Sequence, residues 1–163
     1  MNEDRPVRKH NRLVQYDYSQ NGAYFITVCT ENRKSILSSV VGATIGRPAY
    51  VRLTNNGIIV DNAIHGIESH YEPVRVDKYV IMPNHIHLLL LIDSTDGRPM
   101  VAPTISRVIQ QMKGIVTKQI GCNIWQKSFH DHIIRTESDY EMIWEYIDTN
   151  PGRWETDCFY TEE

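Results

Sequence analysis

Two histidines one residue apart, His85 and His87, stand in the apolar run VIMPNHIHLLLLI (residues 80–92). Side chains alternate along a strand, so both rings share a face with Leu89 and Leu91. Their Cα atoms would lie about 6.6 Å apart, a spacing at which two imidazoles can converge on one divalent cation. The plain alternative is a pair of histidines hydrogen-bonded at a sheet end. It loses ground because unpaired polar rings beside leucines are costly. A nucleotide hydrolase of the HxHxH type is excluded, because the third position is Leu89. Two imidazoles alone leave a coordination sphere incomplete.

The helical stretch ESDYEMIWEYIDT (residues 137–149) supplies candidates for the rest. At 100° per residue, Tyr140, Ile143, Trp144 and Ile147 form one stripe, which predicts a core face. Tyr146 falls roughly 120° from the centre of that stripe, and Asn150, four residues on, shares its flank. Tyr140 is then a core residue, whereas Tyr146 is a phenol with no packing role. The amide oxygen of Asn150 is of the kind that binds hard divalent cations. Each residue also has a plain reading: an amphipathic surface tyrosine, and a helix C-cap before Pro151.

These residues need a scaffold. AYFITVCT (23–30) reads as a first strand after Asn21-Gly22. RKSILSSVVGATIGRPAYVRL (33–53) reads as a loop. A helix is predicted through residues 54–70, capped near Thr54 or Asn55 and weakened by Gly57 and Gly66. Strands over 74–82 and 85–92 flank the turn Pro83-Asn84. A loop over 93–103 leads to an amphipathic helix over 104–120, with Ile105, Val108, Ile109, Met112 and Val116 on one stripe. A fourth strand is expected over 124–136. The last helix starts after Thr136, with Asp139 completing a capping box, and stops at Asn150-Pro151. The order β-α-β-β-α-β-α predicts an α+β, ferredoxin-like sandwich: a mostly antiparallel sheet with the HxH on a central strand and helices packed on one face.

The composition is that of an ordinary globular chain, 41% hydrophobic and 23% charged over 163 residues. No run approaches the ~18 apolar residues of a membrane span, and the polar N-terminus lacks the apolar core of a signal peptide. The expectation is a cytoplasmic protein without a membrane partner. Cys29, Cys122 and Cys158 form no CxxC pair and are expected to be packing residues. The net charge of −3 does not advertise a nucleic-acid partner. Its distribution is uneven, however. Residues 1–13 hold four basic side chains against two acidic, and residues 148–163 hold five acidic against one basic.

The HxH run, the block IWQKSFHDHIIRTESDYEMIWEYIDTNPGRW and the block RLVQYDYSQNGAYFITVCTENR together resemble the single-tyrosine HUH transposases, in particular the REP-associated tyrosine transposases. The likeness spans most of residues 12–154. It implies one HUH-type transposase domain over 1–163, with a basic arm at 1–12 and an acidic tail at 155–163. It also implies His85, His87 and Asn150 as metal ligands and Tyr146 as the nucleophile.

The activity so implied is metal-dependent cleavage and joining of single-stranded DNA through a 5′-phosphotyrosine, near hairpin or palindromic repeats, with Mg²⁺ or Mn²⁺ as cofactor and a homodimer as one assembly. Unpaired DNA calls for basic and stacking side chains. The candidates are Arg8, Lys9, Arg12, Arg33, Lys34 and Arg135 for phosphate, and Tyr16 and Tyr18 for bases. His130 and His132 alternate onto one face of their strand and are candidates to lie near the site. The alternatives are a non-catalytic single-strand or hairpin binder on the same fold, which would not need Tyr146, and a phosphoesterase using water, which would form no covalent adduct.

Overall fold

The computed structural model describes residues 17–42, 44–93 and 103–161. The elements are β1 (Gly22–Cys29), a 3-10 turn at Glu31–Arg33, β2 (Ser38–Val41), β3 (Tyr50–Leu53), α1 (Asn55–His70), β4 (Val74–Ile81), β5 (His85–Ile92), α2 (Ile105–Ile120), β6 (His130–Ile134), α3 (Glu137–Thr149) and a second 3-10 turn at Asn150–Thr156. Four strands form one antiparallel sheet in the order β4-β5-β1-β6. The HxH strand β5 is therefore interior, paired on both edges, as expected for this α+β fold.

Strand alternation divides the apolar residues between two layers. Tyr24, Ile26 and Val28 of β1 and Ile86, Leu88 and Leu90 of β5 pack with α1 and α2 in the main core. Phe25 of β1, Leu89 of β5 and Val80 of β4 face the other way, with Ile143, Tyr146 and Ile147 of α3. The expectation of helices on one face holds for α1 and α2 only. The third helix covers part of the histidine face, because its own apolar stripe requires a sheet to pack on.

Three further expectations are corrected. Residues 33–53 are not one loop: β2 and β3 pair as a short antiparallel hairpin. Strands of only four residues carry too little alternation to be read from sequence. The fourth strand is shorter than residues 124–136. The chain before His130 is irregular and is anchored by a bridge from Trp125 to Thr30. Cys29 is buried, but Cys122 and Cys158 are exposed and do not serve as packing residues.

Helix α1 shows why a glycine sits in its first turn. Thr54 caps the helix by accepting from Gly57 N–H at 3.1 Å, and its own N–H donates to Leu37 O. A Cβ on residue 57 would lie 2.0 Å from that carbonyl oxygen. The glycine that weakens the helix in isolation is what lets the helix dock on the hairpin. Thr104 and Thr136 cap α2 and α3 in the same manner.

Candidate active site

His85 and His87 project from β5 onto the α3 face, and their Nε2 atoms lie 3.1 Å apart. The outer nitrogens are held by buried partners. Asn84 directs its amide nitrogen to the carbonyls of Phe159 at 2.8 Å and Arg33 at 3.3 Å. Only a donor satisfies carbonyls, so the amide oxygen must face the other way, 2.9 Å from His85 Nδ1. That oxygen only accepts. His85 therefore carries its proton on Nδ1 and presents a lone pair at Nε2. His87 Nδ1 is 2.8 Å from Thr27 Oγ1, which can hold the same tautomer on the second ring.

Burial keeps both rings neutral. His85 is fully buried and His87 is 1% exposed. Desolvation, then the Arg33 charge, pushes the His85 pKa down to about 3. Desolvation, then His85, holds His87 well below its ordinary value. Neutral imidazoles are what a metal requires of histidine ligands.

Two more donors come from the end of α3 and the turn that follows. Asn150 is fully buried. Its amide nitrogen donates to Asp157 Oδ2 at 3.1 Å, while its Oδ1 has no hydrogen-bond partner. A buried amide oxygen without a donor is costly, and a cation would satisfy it. His85, His87 and Asp157 offer ligand atoms all within 4.8 Å of one another. Two imidazoles and a carboxylate, with Asn150 joined to them through Asp157, suit a divalent cation.

Tyr146 reaches the same point from α3. Its Oη lies 3.4 Å from His87 Nε2 and 3.5 Å from Asp157 Oδ2. Burial first, then the Asp157 charge, pushes its pKa up to about 12. The helix-face reading needs one correction. Trp144, expected in the core stripe, is 42% exposed and carries the Lys78 ammonium over its ring. The buried face is rotated toward Tyr146, which packs against Phe25 and His87. Tyr140 does pack in this layer, and its hydroxyl donates to Asp77 rather than toward the histidines.

The turn after α3 covers the site. Phe159 lies 4.5 Å from the His85 ring and Trp154 6.0 Å from it. Arg33, at φ 53°, donates to Cys158 O at 2.9 Å and stands over the Phe159 ring. Of the other predicted DNA-contact residues, Lys34 and Arg135 are exposed. Tyr18 is packed against the main core beside Tyr24. Arg8, Lys9, Arg12 and Tyr16 lie outside the described residues. His130 and His132 pair with Thr27 and Phe25 and so share the site's face. His132 is engaged by Asp139 at 2.8 Å. Asp157, Asn84 and Thr27 have roles that sequence reasoning misses. Only Asn84, fixed beside the HxH, carries a local signal, and by sequence alone it is a turn residue.

No protein-family model matches the chain. An uncharacterized protein of Haemophilus influenzae is 30% identical to it, over 95% of this chain and 94% of that protein. A REP-associated tyrosine transposase of Escherichia coli is 27% identical, over 82% of this chain and 68% of its own length. Among solved structures, a REP-associated tyrosine transposase bound to a REP hairpin superposes with a TM-score of 0.64 at 27% identity, covering 86% of this chain and 72% of that one.

Proposed function

The chain belongs to the REP-associated tyrosine transposase family, and from that membership we propose that it cleaves and rejoins single-stranded DNA beside a hairpin or palindromic repeat, with Tyr146 as nucleophile. The observation that carries the reading is the position of Tyr146 Oη, 3.4 Å from the inward nitrogen of His87. The hairpin partner is inferred from the solved relative, which is bound to one.

His85, His87 and Asn150 would hold a divalent cation, with Asp157 beside them. When bound, the cation draws negative charge from a non-bridging phosphate oxygen and favours the ionised phenol. A donor set of imidazoles and oxygens without a thiolate suits Mg²⁺ or Mn²⁺.

The protein's own residues do the rest. Tyr146 oxygen attacks phosphorus, its bond to phosphorus forms, and the bond from phosphorus to the 3′ oxygen breaks. The phosphoryl group stays on the tyrosine as a 5′-phosphotyrosine, and the departing oxygen takes a proton to become a 3′-OH. Asp157 Oδ2, 3.5 Å from the phenol, is the near acceptor for the tyrosine proton. A 3′-OH attacking the phosphotyrosine reverses the step and joins strands. Tyr146 faces the histidines of its own chain, which supports action in cis without a second subunit. A phosphate reaches the buried histidines only when Phe159 and its turn move aside.

Incubation with Mn²⁺ and a single strand flanked by a hairpin tests the reading. A covalent protein–DNA band on a denaturing gel is expected. Cleavage without such a band would point to water as nucleophile, and binding without cleavage to a non-catalytic binder.

A further inference from the structure

A sizeable cavity lies away from the histidines. A groove of about 740 Å³ lies between α2 and the 123–129 segment. Its apolar wall is formed by Ile109, Trp125 and Phe129, which belong to the main core. Lys113, Lys118 and Lys127 also line it, and no acidic residue does. That is a concentrated positive field in a chain of net charge −3. Lys118 and Lys127 are exposed and make no ion pair among the described residues. The Lys113 ammonium is pinned at the wall by the Gln126 carbonyl, 2.6 Å away.

Gly114 lines the same groove. Glycine is unfavourable inside a helix, yet nothing lies within 4 Å of where its Cβ would be. No described neighbour demands it. It leaves bare backbone on the helix face that lines the groove, where an approaching chain gains room.

The groove and the tyrosine site occupy opposite faces of the sheet but the same end of it. Gln126 N–H donates to Cys29 O at 3.0 Å, and Cys29 pairs with His85 across the ladder. The groove is thus joined to the histidine strand through Cys29.

We propose that this groove binds the sugar-phosphate backbone of the DNA that Tyr146 cleaves, a few nucleotides from the scissile phosphate. The proposal rests on the single-stranded DNA activity proposed above. Lys118 and Lys127 contact phosphates, and the open face at Gly114 admits the backbone.

The test is fluorescence anisotropy of a labelled hairpin with a single-stranded flank, titrated at several salt concentrations. Removing one lysine–phosphate pairing makes the slope of log K against log salt shallower by about 0.7–0.9. Lys118→Ala and Lys127→Ala should each show that decrease, and the double variant their sum. Arg75→Ala, at the far end of β4 opposite Leu91, should leave the slope unchanged. Gly114→Leu should lower affinity without lowering the melting temperature. If the wild type forms the adduct but the double variant keeps the full slope and Gly114→Leu keeps full affinity, the groove is not a DNA site and the Tyr146 reading stands. If the lysine effects are seen without any adduct, the groove binds DNA and the cleavage reading fails. A wild type that binds no DNA would overturn both.

Discussion

Tyr146 Oη and His87 Nε2 lie 3.4 Å apart within one chain, on a helix and a strand 59 residues apart in sequence. The pairing predicts catalysis in cis. Mixing His87→Ala with Tyr146→Phe should yield no covalent adduct, since neither chain holds a complete site. An adduct from the mixture would mean that the tyrosine of one copy serves the histidines of another.

Asn84 decides which His85 nitrogen is free. Asn84→Leu keeps the branched shape but removes the acceptor at His85 Nδ1, together with the donor to the Phe159 and Arg33 carbonyls. Loss of such an outer hydrogen bond typically lowers metal affinity about 10–100-fold. Calorimetric titration with Mn²⁺ should show that loss. Asn150→Ala removes a proposed ligand atom, the unpartnered Oδ1, and should weaken binding at least as much as loss of an outer hydrogen bond, about tenfold or more. Wild-type affinity in both variants would remove these residues from the metal's surroundings.

The histidines also make a prediction about pH in the metal-free protein. Unfolded, both titrate near 6.5. Folded, His85 is held at about 3 and His87 well below its ordinary value, burial being the first cause in each. Below pH 6.5 the unfolded chain therefore binds more protons than the folded one. Stability is complete above that pH and is lost as pH falls toward 3. Each ring contributes a slope of at most about 1.4 kcal/mol per pH unit. Urea midpoints should fall between pH 7.5 and 5, and His85→Gln should fall less steeply. Equal pH dependence in the two proteins would show that His85 is not held neutral by the fold.

Gly57→Ala separates helix propensity from docking. Alanine would favour an isolated helix by up to about 1 kcal/mol. Here its Cβ would meet Leu37 O at 2.0 Å. Overpacking of this kind costs about 1–3 kcal/mol, so urea denaturation should show a net loss. A stabilised variant would contradict the close approach of α1 to the hairpin.

What sequence reading recovers here is what has a local period. The HxH pair, the flank shared by Tyr146 and Asn150, the Thr136 cap and the stripe of α2 all follow from spacing within one element. Contacts made across the fold leave no such trace. Asp157 meets Tyr146 and Asn150 only because a 3-10 turn folds back under α3. Thr27 meets His87 through strand register. Periodicity assigns Trp144 to the core, yet it lies outside, where Lys78 covers it. An amphipathic aromatic on the margin of a stripe can pack either way, and the tertiary partner decides.

The central claim is that the Tyr146 phenol, and not that of Tyr140 six residues earlier, attacks the phosphodiester. Tyr140 gives its hydroxyl to Asp77, so Tyr140→Phe should lose at most about 3 kcal/mol of stability and still form the adduct. Tyr146→Phe keeps the ring packed against Phe25 and His87 and removes only the oxygen. The direct measurement is a denaturing gel of each variant after incubation with Mn²⁺ and single-stranded DNA. The account predicts a protein–DNA band for wild type and Tyr140→Phe and none for Tyr146→Phe. A band that persists in Tyr146→Phe and vanishes in Tyr140→Phe would contradict it.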